Sequence, residues 1–163
     1  MVRLKSRYIL FEVLHPEDVV KDTSIDDDGS NPQNFMLRLH RISPANINAK
    51  SIILALRKAL QSNFGDFGCA NGTNVMQLKY FSNRTSTGIL RCSREHYDLI
   101  LISMTLMSKI DTTEGIIVNP IKISGTIKKL ELYGMRRSKI IGNKLNCKLE
   151  DNFQSITEDQ LEE

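Results

Sequence analysis

The sequence predicts an α+β domain whose elements run β-α-β-β-α-β, with one further helix after them. Three observations carry this. Apolar residues recur with a period of about two in some segments and about 3.6 in others. Turn-forming residues fall where the period changes. The 163 residues are 25% charged and 40% apolar, the make-up of one globular unit with room for a core.

Residues 7–14, Arg7-Tyr8-Ile9-Leu10-Phe11-Glu12-Val13-Leu14, are rich in β-branched and aromatic side chains and are closed by Pro16, so they read as a strand. Ile9, Phe11 and Val13 fall on one face; Tyr8, Leu10, Glu12 and Leu14 fall on the other. Residues 17–42 keep no period and centre on Asp26-Asp27-Asp28-Gly29-Ser30-Asn31-Pro32, so an acidic flexible insertion is expected there. Ser43 and Pro44 supply a helix start. From 45 to about 62, Ile52, Ile53, Leu56, Ala59 and Leu60 recur at helical spacing, opposite Lys50, Arg57, Lys58 and Gln61. Asn63-Phe64-Gly65 ends that signal as a glycine-terminated helix does.

Residues 73–81 alternate as a strand, 82–86 are turn material, and 87–92 return as the second arm of a hairpin. Ser93 can cap a helix expected over 94–110. Residues 115–127 are strand-like, with Asn119-Pro120 as a bulge or interruption. A third helix opens near Lys128, weakened at Gly134 by about 1 kcal/mol relative to alanine. Two split β-α-β units in this order build a four-stranded antiparallel sheet with two helices on one face. That is the ferredoxin-like arrangement, also used by RNA recognition motifs. One domain is expected over 1–142, followed by an acidic, flexible tail over 143–163.

Net charge is only +3, but its distribution is uneven. Residues 17–28 hold six acids and one lysine, and residues 150–163 hold six acids and no base. The remainder has 21 bases against 7 acids, a balance of +14. That is the electrostatic footprint of a polyanion binder. Residues 124–139, SGTIKKLELYGMRRSK, concentrate it, with five bases and one acid.

Other function classes find little support. The first residues lack the cleavage site of a signal peptide, and the apolar stretch 97–110 is broken by Asp98, Ser103, Thr105, Ser108 and Lys109, so an intracellular protein without a membrane span is expected. Cys69, Cys92 and Cys147 match no zinc spacing and are expected as reduced thiols. His15, His40 and His96 have no ligand partners at helical spacing, and no phosphate-binding glycine loop occurs. With no catalytic constellation, no catalytic or metal-binding residue is assigned.

Base-stacking RNA recognition motifs place aromatics on the third strand. Here that strand reads Ser86-Thr87-Gly88-Ile89-Leu90-Arg91-Cys92, so contact through phosphates rather than stacking is expected from that face. Residues 97–107 are apolar on nearly every side of a helix, which calls for burial under the third helix or for a protein interface, with Ile100, Met104 and Met107 as the candidates.

Three blocks, MVRLKSRYILFEV, QLKYFSNRTSTGILRC and NPIKISGTIKKLELYGMRRSK, together resemble one family in order and content. It is the Pop-five (processing of precursors) family of nuclear ribonuclease P and ribonuclease MRP, in its fungal form. The resemblance covers residues 1–15 and about 43–140 and leaves 17–42 and the tail unassigned.

It implies an RRM-like protein seated on a large catalytic RNA beside other protein subunits, in the nucleus and nucleolus. The RNA would cleave with Mg²⁺ at its own active site, maturing precursor tRNA at the 5′ end or cutting precursor rRNA. The protein would bind no cofactor and would not itself be an enzyme. RNA contact then falls to Arg3, Lys5, Ser6 and Arg7; to Lys79, Asn83, Arg84, Thr85, Ser86 and Arg91; and to Ser124, Thr126, Lys128, Lys129, Arg136 and Arg137. The alternative is a protein-interaction module of the same fold with no direct RNA contact.

Overall fold

The structure, a computed structural model, describes residues 5–16, 39–40 and 42–145. The expected insertion at 17–42 and tail at 143–163 lie for the most part outside them. In chain order the elements are β1 (Ser6–Leu14), α1 (Ala49–Thr73), β2 (Gln77–Ser82), β3 (Thr87–Ser93), α2 (Tyr97–Leu106), β4 (Lys109–Ile110), β5 (Thr113–Glu114), β6 (Ile117–Ser124) and α3 (Ile127–Leu145). Four strands form one antiparallel sheet in the order β2-β3-β1-β6, the ferredoxin-like order.

β1 takes an interior place because both its faces are buried from Ile9 to Val13. Ile9, Phe11 and Val13 enter the larger core with Leu90, Cys92 and Val118 and with Ile52, Leu56, Ile100 and Met104 of α1 and α2. Leu10 points the other way, into a smaller core with Ile89 and with Ile127 and Leu130 of α3. Each such fully buried aliphatic side chain contributes about 1.5–3 kcal/mol. The two faces expected for β1 are the two observed. α3 therefore covers the sheet face that a two-layer plan leaves open, and α2 is not tucked under it.

Beside Pro120 the β1–β6 register shifts by one residue, pairing Leu10 with Lys122 and Phe11 with Pro120. The bulge lies where proline has no N–H to give to the ladder.

Several boundaries differ from expectation: β2 starts at Gln77 rather than at 73, α2 at Tyr97 rather than at 94, and β6 spans Ile117–Ser124 rather than 115–127. α1 is capped by Asn48, not Ser43: Ser51 N donates to Asn48 Oδ1 and Ser51 Oγ accepts from Asn48 N, both at 2.9 Å. It also continues to Thr73. Gly65, at φ 63° and ψ −159°, kinks the helix without ending it, a conformation glycine alone adopts cheaply. α2 is shorter than expected, because Met107 is extended and the chain turns into the β4–β5 hairpin. Asn46 Nδ2 pins that hairpin through the hydroxyls of Thr112 and Thr113, at 2.8 and 3.0 Å.

Candidate nucleic-acid interface

β1 begins, β3 ends and β6 ends at the same end of the sheet, where Ser6 pairs with Ser93 and Tyr8 pairs with both Arg91 and Ser124. Just beyond, Arg94 N donates to Lys5 O at 3.0 Å, and α3 starts three residues after β6. Six bases from three distant segments, Lys5, Arg7, Arg91, Arg94, Lys128 and Lys129, are thereby carried to one end. Lys5, Arg94, Lys128 and Lys129 are exposed.

Two of these side chains have defined neighbours. Arg91 Nε donates to Ser6 Oγ at 3.2 Å, which holds the guanidinium beside β1. Arg7 Nη1 lies 2.9 Å from where a Cβ on Gly125 would stand, so a side chain at 125 would push it aside. The turn into α3 is closed by Thr126 N donating to Ser124 Oγ at 3.2 Å.

Glu131 is held above the usual carboxylate range by burial, with Lys128 pulling the other way. Cys92 is pushed up to about 12 by burial, with Arg7 opposing, so the thiol stays protonated and inert. Among the described residues no three His, Cys, Asp or Glu come together to hold a metal ion. An exposed cluster of bases is suited to binding phosphate.

The sequence pattern of the Rpp14/Pop5 family matches residues 7–135, a span that contains most of this basic end. The chain belongs to the Rpp14/Pop5 family. It is 50% identical over 147 residues to ribonuclease P/MRP protein subunit POP5 of Saccharomyces cerevisiae, covering 90% of this chain and 83% of that one. It is 37% identical over 139 residues to the Schizosaccharomyces pombe protein of the same name, covering 85% and 89%. An archaeal relative, ribonuclease P protein component 2 of Pyrococcus furiosus, is 36% identical over 90 residues, covering 55% of this chain and 72% of its own.

Within this Rpp14/Pop5 chain the expected contact residues separate by position. Lys5, Ser6, Arg7, Arg91, Ser124, Thr126, Lys128 and Lys129 meet at the basic end. Arg3 lies outside the described residues. Lys79 sits at the irregularity in β2, on the sheet's far edge, and Arg136 is exposed further along α3. Arg84, exposed, and Thr85, half-buried, occupy the β2–β3 turn at the opposite end.

Six expectations need correction. Ser86 is only 1% exposed and its hydroxyl accepts from Ser43 Oγ at 2.8 Å, so it cannot reach a ligand. Asn83 directs its amide at the carbonyls of Pro44 and Ile47, at 3.0 and 2.7 Å, and ties the turn to the segment before α1. Arg137 Nη2 lies 2.7 Å from Oε2 of Glu12, whose side chain is 4% exposed; this ion pair fastens α3 to the sheet. Ile100, Met104 and Met107 are core residues, packed among α1, α2 and the sheet. The apolar side chains that α2 exposes are Ile102 and Leu106.

Arg94 was missed. It lies where a helix start was expected, and only the β1–β3 pairing carries it to Lys5.

Proposed function

We propose that this protein is a non-catalytic, RNA-binding subunit of a ribonuclease P/MRP ribonucleoprotein, in the nucleus and nucleolus. The observation that carries the reading is the convergence of Lys5, Arg7, Arg91, Arg94, Lys128 and Lys129 at one end of the sheet. Relatives matched over most of this chain are named as subunits of that enzyme, which supports the assignment. In this reading the basic end neutralises phosphates of the folded catalytic RNA and steadies its core. Other protein subunits are its neighbours, and precursor tRNA is the substrate of the whole assembly. Mg²⁺ belongs to the RNA and takes no ligand from this chain.

The alternative, a protein-interaction module without RNA contact, draws on the exposure of Ile102 and Leu106. Binding of the full chain to ribonuclease P RNA, titrated against salt, separates the two. Affinity should fall steeply with salt, with a log–log slope of roughly 0.7–0.9 per phosphate neutralised. Absence of binding at every salt concentration, with partner subunits present, leaves only the alternative. Cleavage of precursor tRNA by the chain freed of RNA would overturn the non-catalytic assignment.

A further inference from the structure

The sheet face beneath α3 is ordered in rows, because directly opposed residues of antiparallel strands share a face with Cβ atoms about 4.5–5.5 Å apart. One row, from β2 to β6, reads Tyr80, Ile89, Leu10, Lys122; the next, toward the basic end, reads Gln77, Arg91, Tyr8, Ser124. α3 lies on the first row. Ile127 and Leu130 pack with Leu10 and Ile89, and Tyr133 receives Lys122 Nζ over its ring at 4.1 Å. The helix then leads to Glu12 through Arg137, away from the second row.

The second row borders that core without joining it: Tyr8 packs against the Leu10, Ile89, Ile127 and Leu130 cluster yet stays half-buried. The row holds an exposed amide, a half-buried guanidinium, a half-buried phenol ring and a half-buried hydroxyl. Tyr8 and Arg91 stand directly opposite each other. Arg91 uses Nε on Ser6, which fixes its direction and leaves both terminal nitrogens to donate. Beyond the row, at the same end of the sheet, Lys5 and Arg94 alternate to the other face, and Lys128 and Lys129 are exposed in the first turn of α3. A flat ring beside a fixed guanidinium, inside a positive field, matches a ligand that is flat at one part and anionic at the next. A nucleotide is such a ligand. An acidic peptide would satisfy the bases but would give the ring nothing specific.

β3 carries Ile89 where base-stacking relatives of the fold have an aromatic, and this had argued against stacking. The aromatics lie instead on the flanking strands, with Tyr8 on β1 and Tyr80 on β2, on the same face as Ile89.

We propose that the row Gln77, Arg91, Tyr8, Ser124 seats one unstacked nucleotide of a single-stranded RNA segment. The base stacks on the Tyr8 ring, an adjoining phosphate takes the terminal nitrogens of Arg91, and the Gln77 amide meets a base edge. This rests on the RNA-binding reading above and adds a neutral, stacking contact to its electrostatic ones.

The test uses the full chain and a single-stranded oligoribonucleotide of about ten residues carrying 2-aminopurine, whose fluorescence is quenched on stacking. Tyr8→Phe should keep affinity and quenching. Tyr8→Leu, which retains packing against Leu10, should abolish the quenching and weaken binding roughly 5- to 150-fold. Its salt slope should not change, because the ring carries no charge. Independently of any variant, a 5-iodouridine oligonucleotide should photocross-link the wild type at Tyr8.

Wild-type affinity and quenching in Tyr8→Leu, or cross-links only elsewhere, overturn the proposal and leave phosphate binding intact. Failure of every form to bind RNA overturns the underlying reading as well. Displacement of the oligonucleotide by an acidic peptide, dependent on Tyr8, would assign the row to protein and also overturn it.

Discussion

At the turn end of the sheet, where β2 doubles back into β3, Ser43, Asn83 and Ser86 direct their side chains at one another and at backbone carbonyls; at the opposite end Lys5, Arg94, Lys128 and Lys129 stand exposed. Between the turn end and α3, Glu12 is enclosed by Arg137, by His40 and by Asn119, whose Nδ2 donates to Oε1 at 2.8 Å. Both ends are polar, and both supplied residues to the sequence-based contact set. The difference is access to water. A polar group cut off from solvent must find a protein partner or cost several kcal/mol, so the buried Ser43 and Ser86 and the half-buried Asn83 are spent on partners within the fold, and only Arg84 of that turn stays exposed. The basic end keeps its donors in water and can exchange that water for phosphate.

The largest expected effect lies at the enclosed end. Arg137→Ala should lower stability by about 3 kcal/mol in urea unfolding, because it strands the Glu12 carboxylate in a site that is 4% exposed. Replacing both partners, Glu12→Leu with Arg137→Leu, should recover most of the loss. RNA affinity of the folded fraction should not move; a loss of affinity without a loss of stability would transfer Arg137 to the binding end and break the contrast. Asn83→Ala comes next, at about 1–2 kcal/mol, since the carbonyls of Pro44 and Ile47 lose their donor.

The mirror experiment is Lys128→Gln with Lys129→Gln. Both side chains are exposed, so stability should stay within about 0.5 kcal/mol of wild type. The salt slope of RNA binding should become shallower by roughly 1.4–1.8, if each contacts one phosphate. An unchanged slope would remove the start of α3 from the interface.

Much of this contrast was legible in the sequence, and the illegible part has a physical cause. Period-two alternation gave both faces of β1, because a strand buried on two sides must be apolar on both. Pro120 announced its bulge, since a missing N–H is a local property. The continuation of α1 past Gly65 was hidden because residues 66–73 hold few apolar side chains to carry a period. β4 and β5 are two residues each, too short to show one.

The fates of Arg137, Asn83 and Ser86 depend on partners far away in sequence, and no local pattern distinguishes an arginine facing Glu12 from one facing water. α2 is apolar all round, so the sequence could not say which half faces inward; packing against α1 and the sheet places Ile100 and Met104 inside and leaves Ile102 and Leu106 out. Tyr8 was assigned its face correctly, but what stands opposite it depends on the β1–β3 register, which the chain reveals only when folded.

The smallest effect is also the one that separates the two ends by proton rather than by mutation. His40 Nδ1 lies 3.4 Å from Glu12 Oε2, with its side chain 14% exposed. Burial pushes the imidazole below its usual 6.5; Glu12 pulls it back up and Arg137 pushes it further down, and burial prevails. The fold therefore favours neutral His40, whereas the unfolded chain takes up its proton near 6.5. Below that pH the unfolded state binds more protons than the folded one, so stability falls as the pH drops from about 6.5 toward the lowered folded value. Above it neither state is protonated and His40 adds no slope. The urea midpoint should accordingly be lower at pH 5.5 than at pH 7.5, and His40→Gln should remove part of that difference; an unchanged pH dependence in His40→Gln would show that the enclosed end does not sense protons through this residue. Acidification over this window should thus loosen the enclosed site around Glu12.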